Sequence, residues 1–153
     1  MVYRNYTSAD FPQLYAIEEI CFQPPFRFGR RYMRRLVESQ YAITWIAEEA
    51  GQMAGFSIAD YGRTNGEIVA YIQSIEVLPA MRGRGIGNEL LGRIEGSVRD
   101  KGAAAIWLHV DSTNAGAIRL YEAHGYTCQG RKENYYAHGR AGLIYRKTLD
   151  MSS

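Results

Sequence analysis

The chain is predicted to be an α/β protein with a mixed central sheet of about seven strands and helices on both faces, all in one domain spanning residues 1–153. Three observations carry that prediction. Segments with strand-like alternation are interleaved with segments of helical period. A long strand, Glu67 to Val77, runs into a glycine-rich loop and then into a helix. The 153 residues, 46% hydrophobic and 22% charged, suit one sizeable core rather than two.

The elements follow in order. Tyr3 to Tyr6 reads as a short first strand. Ser8 or Asp10 can cap a helix that runs through Leu14, Ile17 and Cys21 and stops before Pro24-Pro25. A second helix fits about Phe28 to Ser39. Ala42 to Glu49 and Met53 to Tyr61 form a hairpin turned at Gly51-Gln52. Arg63 to Gly66 is another turn, and the Glu67–Val77 strand follows it. Leu78-Pro79 ends that strand before the loop from Arg82 to Gly87. In the next helix Ile86, Leu90, Ile94 and Val98 recur every four positions, backed by Leu91, and Lys101-Gly102 closes it. Ala104 to Val110 is an apolar strand, and Asn114 to His124 a short helix ending at Gly125. Tyr126 to Arg131 and Leu143 to Leu149 are the last strands, with a polar loop between them.

The net charge of +2 is too small to direct the chain to nucleic acid or membrane. Cys21 and Cys128 lack metal-ligand spacing, so no metal is expected, and two thiols do not make a disulfide scaffold. No apolar window is long enough to span a bilayer and no signal segment opens the chain. The expectation is a soluble cytoplasmic protein.

Between strand and helix stands Arg82-Gly83-Arg84-Gly85-Ile86-Gly87-Asn88. Backbone N–H groups at a helix start lack intrahelical partners, glycines let a phosphate approach them, and the helix dipole favours the anion. Arg82 and Arg84 add charge. The segment contains no G-x-x-x-x-G-K-[ST], and the G-x-G-x-x-G register fails because Gly83-Arg84-Gly85 is followed by Ile86, Gly87 and Asn88.

Arg82-x-x-Gly85-x-Gly87 resembles the acyl-CoA loop of the GCN5-related N-acetyltransferase (GNAT) superfamily. The likeness runs without a gap from Tyr71 through Ile106-Trp-Leu-His-Val to Asn114-x-x-Ala117-Ile118-x-Leu120-Tyr121-x-x-x-Gly125-Tyr126. The order of elements also fits the GNAT fold. Within the superfamily the chain looks most like protein N-terminal acetyltransferases, including the bacterial ribosomal-protein alanine acetyltransferase type. Phe22-Gln23-Pro24-Pro25-Phe26 resembles their Phe/Pro-rich turn. Tyr71 and His109 match the bases of one eukaryotic branch, and Asn134-Tyr135-Tyr136 matches their Asn-Tyr-Tyr loop. Two departures stand out. The bacterial enzymes carry Glu at the position of His109. Many members continue with Gly-Glu-Asp where this chain has Gly139-Arg140-Ala141.

The resemblance implies acetyl-CoA as acetyl donor, CoA as product, and a protein or peptide N-terminus, or a small amine, as acceptor. An alkylammonium must lose a proton before it attacks a thioester, so a base is needed. Alternation in Ile106-Trp107-Leu108-His109-Val110 turns His109 away from the face of Leu108 and Val110, and imidazole titrates near neutrality, which suits a surface or hydrogen-bonded histidine as well as a base; the resemblance favours His109 as the base. By resemblance Tyr71 is its partner. Glu76 is a rival base, expected on the face opposite Tyr71, Gln73, Ile75 and Val77, or else paired with a loop arginine. By resemblance Tyr121 is the acid for the departing thiolate and Asn114 lies near the pantetheine; seven residues, two helical turns, put both on one face. The main chain of Ile75, Glu76 and Val77 would hold the pantetheine and acetyl oxygen, with Arg82, Gly83, Arg84, Gly85, Ile86, Gly87 and Asn88 around the pyrophosphate. Phe26, Tyr135 and Tyr136 would line the acceptor groove.

Arg27, Arg30, Arg31, Arg34 and Arg35 share one helix face, with Met33, Leu36 and Val37 turned away. That face is either solvated or a contact for an acidic peptide or for the ribosome through its phosphates. The competing functions are a small-amine acetyltransferase for a polyamine, aminoglycoside or amino acid, and a catalytically silent acetyl-CoA-binding regulator. An open groove beside Tyr135 and Tyr136 suits a peptide; a closed acidic pocket suits a polycation. The sequence leaves oligomeric state open.

Overall fold

Seven strands and four helices follow one another in the predicted order in the computed structural model, which describes residues 1–149. They are β1 (Val2–Asn5), α1 (Phe11–Cys21), α2 (Arg30–Glu38), β2 (Ala42–Glu49), β3 (Gln52–Thr64), β4 (Glu67–Val77), α3 (Ile86–Asp100), β5 (Ala103–Asp111), α4 (Ala115–Ala123), β6 (Thr127–Ala137) and β7 (Arg140–Thr148). The sheet order is β1-β2-β3-β4-β5-β7-β6. Its pairs are antiparallel except β4 with β5, which need the α3 crossover between them.

Each face of the sheet has its own core. On one face Phe11, Leu14 and Ile17 of α1 and Met33, Leu36 and Val37 of α2 pack against Ile46, Phe56 and Ile58. On the other, Leu91, Ile94 and Val98 of α3 meet Ala59, Ala70, Ile72, Ile106 and Leu108, joined by Tyr121 of α4. The four-residue recurrence in α3 is this buried stripe: Leu90, Leu91, Ile94 and Val98 are all sealed from solvent. Burying each such side chain contributes roughly 1.5–3 kcal/mol. Among the described residues no helix is long and apolar enough to cross a membrane.

Three expectations need correction. Asp10 occupies the residue before α1 but does not cap it with its side chain. Its carboxylate turns back to the Thr7 amide at 2.8 Å and to the Arg4 guanidinium, which also holds Glu48. The second hairpin is longer than predicted: β3 runs on to Thr64, leaving Asn65-Gly66 as the turn. The polar segment between the last strands is mostly strand, not loop. Polar side chains there hid a ladder whose outer face meets water. Its register jumps between Lys132 and Ala137, so residues 133–136 bulge out of the ladder. Asn134 adopts a left-handed φ of 55°, and its side chain accepts the Gly139 N–H at 2.6 Å, which pins the bulge.

Candidate active site

The parallel pairing of β4 and β5 stops at Ile72 and Leu108. Beyond that point β4 stays on β3 as far as Val77, and β5 stays on β7 as far as Asp111. The two halves of the sheet therefore part company at the C-terminal ends of the parallel strands. A cavity of about 640 Å³ opens there, walled by Gln73, Ser74 and Ile75 on one side and His109, Val110 and Asp111 on the other. β3 reaches the β4 main chain closely enough that only glycine fits at Gly55: a Cβ there would lie 2.4 Å from the Glu76 carbonyl oxygen.

A β-bulge at Gln73 changes which side chains face this cavity. Ile58 pairs with Ser74 and Ala59 with Ile72, leaving Gln73 as the extra residue. Before the bulge, Ala70 and Ile72 face α3; after it, Ile75 and Val77 do. Strict alternation placed Glu76 opposite Tyr71. The bulge instead brings Tyr71, Ser74 and Glu76 to the same face, the one covered by α1. Glu76 is 3% exposed and outside the cavity wall. Its Oε2 accepts the Ser74 hydroxyl at 2.5 Å, and its carboxyl adjoins Glu18 of α1, not an arginine of the loop. Burial, then the Glu18 carboxyl, hold the Glu76 acid well above the usual carboxylate range.

Across the gap, alternation in β5 held: Leu108 and Val110 are core, and His109 points into the cavity. The Tyr71 hydroxyl lies 2.6 Å from His109 Nδ1. The imidazole stacks on the Tyr135 ring with centroids 4.6 Å apart and planes 5° from parallel. Tyr136 meets Tyr135 edge to face at 4.9 Å and Phe26 at 5.3 Å. The β6 bulge thus delivers both tyrosines to the cavity, where Phe26 from the α1–α2 loop closes the aromatic wall. Burial and then Lys132, which lies over the Tyr135 ring, push the His109 imidazole below its ordinary value. Burial and Tyr135 push the Tyr71 phenol up, so it stays protonated at neutral pH.

On the far side of the gap, α4 presents Asn114, Ala117 and Tyr121 to the cavity. Asn114 is also the cap of α4, its Oδ1 accepting the Ala117 N–H at 3.2 Å. Burial raises the Tyr121 phenol, which keeps its proton available for donation. In the glycine loop, the first helical bond of α3 runs from Glu89 N–H to the Gly85 carbonyl, so the amides of Ile86, Gly87 and Asn88 have no acceptor within the helix. Gly85 caps α3 at a left-handed φ of 82°, and a Cβ on Gly83 or Gly85 would meet nothing within 4 Å. This open cradle of amides fits a pyrophosphate. The arginines contribute differently from expectation. Arg82 Nε donates to the Val77 carbonyl at 3.0 Å, and Arg84 pairs with Glu49 at 2.8 Å. Asn88 Oδ1 meets His124 Nε2 at 2.8 Å.

Sequence reasoning passed over part of the wall. Phe22, Phe28 and Tyr32 add to the aromatic lining, Glu18 lies at its base, and Arg140 sits over the Phe26 ring while pairing with Asp111. Arg140 belongs to the segment where the chain departs from Gly-Glu-Asp, which was the available signal. Glu18 could have been found too, since Leu14, Glu18 and Cys21 share one helix face at i, i+4, i+7.

A sequence model described as the Acetyltransferase (GNAT) family matches residues 11–126. The chain is 30% identical over 129 residues to the [ribosomal protein bS18]-alanine N-acetyltransferase of Haemophilus influenzae, covering 84% of this chain and 83% of that protein. It is 36% identical over 94 residues to the streptothricin acetyltransferase of Streptomyces lavendulae; this match takes in 61% of the chain and only about half, 49%, of that relative. Among solved structures, the ribosomal-protein-S18-alanine N-acetyltransferase of Escherichia coli superposes with a TM-score of 0.85 at 24% identity, over 99% of this chain and 96% of that one. Arabidopsis thaliana NAA60 in complex with a bisubstrate analogue gives 0.85 at 21% identity, over 99% of each. Both structures are likenesses of fold.

Proposed function

The chain belongs to the Acetyltransferase (GNAT) family and is an acetyl-CoA-dependent N-acetyltransferase, and from that premise we propose that its acceptor is the N-terminal α-amine of a protein or peptide. The observation that carries this reading is the wall of Phe26, Tyr135 and Tyr136 beside His109 at the mouth of the split strands. It is aromatic rather than acidic. Of the carboxylates on the cavity wall, Asp111 is paired with Arg140 and Glu18 is buried. A polycation would find no exposed unpaired carboxylate there, whereas an extended peptide finds rings and hydrogen-bonding phenols.

Acetyl-CoA supplies an activated thioester carbonyl. The residues of the chain hold and move protons around it. With Nδ1 protonated, His109 donates to the Tyr71 oxygen, and Nε2 keeps the lone pair that takes the proton from the incoming ammonium, directly or through a water. The Tyr135 stack fixes the plane of the ring. The β4 edge freed by the split supplies main-chain groups of Ile75 to Val77 for the acetyl oxygen and the pantetheine. Tyr121 Oη gives its proton to the leaving sulfur. The amides of Gly83 to Asn88 take the pyrophosphate. Glu76, buried beneath Ser74, serves through its main chain and not as the base.

A ribosome contact through α2 is the outer part of the same reading. Arg30 and Arg34 lie over the Phe11 and Tyr15 rings, and Arg27, expected on the same helix face, instead precedes α2 and bonds the Phe22 carbonyl. Arg31 and Arg35 have no ion-pair partner among the described residues, and they support a phosphate contact. The acceptor is tested by mass spectrometry of peptides varied at the first residue, against polyamines, aminoglycosides and free amino acids. Acetylation at a peptide α-amine with higher kcat/KM than at any small amine is the expected result. A small amine that outperforms every peptide overturns it.

A further inference from the structure

We propose that Glu18 and Glu76 share one proton, forming a carboxylic acid–carboxylate bridge that ties the acceptor wall to the cofactor strand and makes both glutamates positioning residues for acetyl transfer. The functional half rests on the acetyltransferase reading above; the bridge itself does not.

Glu18 on α1 and Glu76 on β4 are 1% and 3% exposed, respectively. Each has one oxygen satisfied. Glu18 Oε2 accepts the Phe28 N–H at 3.0 Å, and Glu76 Oε2 accepts the Ser74 hydroxyl at 2.5 Å. Each leaves Oε1 fully buried with no hydrogen-bond donor. The carboxyls adjoin one another. Two ionised carboxylates have only acceptors to offer, so this arrangement would bury two orphan lone-pair sites and two like charges. One shared proton supplies the missing donor and removes half the charge. No salt-bridge partner serves either group among the described residues.

The groups around Glu76 do not replace that proton. From α1 comes the half-buried Cys21 thiol, itself raised by burial and then by Glu76. From the loop comes Arg82, whose Nε is committed to the Val77 carbonyl and whose Nη2 lies 3.7 Å from Cys21 Sγ. From β3, Phe56 stands opposite in the ladder and is neutral. Around Glu18 the α1–α2 loop offers the Phe28 amide alone.

The bridge joins the two parts of the site. On the α1 side, Glu18 holds the Phe28 N–H while Tyr15 Oη donates to the Phe28 carbonyl at 2.9 Å. Both ends of that residue are thereby pinned on the cavity wall, two positions from Phe26. On the β4 side, Glu76 stands between Ile75 and Val77, on the edge freed by the split strands. The bulge at Gln73 makes this possible, because an unbulged strand would aim Glu76 at α3. When the proton leaves, two like charges face each other across the α1–β4 contact and the acceptor wall loosens from the cofactor strand.

The test uses the whole chain with carbon-13 at the glutamate side-chain carboxyls. The expected result is a carboxyl signal still at a protonated-acid shift at pH 7, absent from Glu76→Gln. Glutamates that have all ionised below about pH 6, above the ordinary value near 4.3, overturn the bridge. A second readout needs no acceptor. The native pair keeps a proton that the unfolded glutamates have lost, so unfolding stability falls as pH rises above the ordinary glutamate range, and Glu76→Gln removes that slope. Equal slopes in both proteins count against the bridge. For the functional half, acceptor KM for the best peptide of the screen rises at alkaline pH in the wild type and becomes flat with pH in Glu76→Gln. Glu76→Ala raises it about tenfold at every pH. A shared proton seen by NMR with an unchanged KM profile refutes the positioning role alone; a missing acetylation activity with the shared proton intact refutes the functional reading and leaves the bridge standing.

Discussion

Tyr71 stands in the last paired stretch of β4 and His109 one residue past the last pair on β5, and their side chains meet where the strands part, Oη to Nδ1 at 2.6 Å. The contact engages the Nδ1 side of the imidazole. The proton affinity of the ring is set by what surrounds it. Burial comes first and Lys132 second, both favouring the neutral ring. Replacing Lys132 with Ala is expected to raise the His109 pKa, read by NMR titration of the ring. An unchanged or lower value contradicts this electrostatic account.

Tyr121→Phe removes a hydroxyl from a buried ring on the cavity wall and leaves its packing against Tyr126 in place. Single-turnover acetylation should slow by roughly 10²-fold, the size of a positioned acid, with acetyl-CoA affinity little changed. A full-rate mutant returns Tyr121 to a packing role.

The phosphate cradle is best tested at Gly87. Gly85 needs its left-handed φ, so any side chain there strains the backbone as well. At Gly87 a Cβ meets only the Leu120 side chain at an ordinary 3.6 Å. Gly87→Asp should fold and lose most of its acetyl-CoA affinity, because its carboxylate competes for the amides proposed to take the pyrophosphate. Unaltered calorimetric titration of the folded mutant contradicts the assignment.

Gly55→Ala tests the close approach of β3 to the cofactor strand. The added methyl must displace the Glu76 carbonyl, an overpacking that should destabilise the protein by about 1–3 kcal/mol in chemical denaturation. An unchanged midpoint means the strands have slack there.

Much of the site was legible because its signals are local. The loop from Arg82 to Asn88 and the pair Asn114 and Tyr121 depend on backbone position and helical spacing, which a sequence displays directly. His109 was legible because β5 is regular. The side of Glu76 was not, since a single extra residue reversed the alternation and nothing in Gln73-Ser74 beyond their polarity marks a bulge. The extended β6–β7 hairpin was hidden for a related reason: polar residues resemble a loop when one face of a strand is solvated. Asn134, suited to a left-handed turn, was the clue to how Tyr135 and Tyr136 leave the ladder.

The central claim is that His109 takes the proton from an α-amine during acetyl transfer. Its most direct test is the single-turnover pH profile of the wild type, His109→Gln and His109→Glu with the best peptide acceptor. Wild-type rates should rise with pH through a pKa below the ordinary imidazole value, since only the neutral ring is a base. His109→Gln should lose that limb and fall by roughly 10²-fold or more, and His109→Glu should recover part of the rate. A Gln variant with the full rate and the same limb would contradict the account.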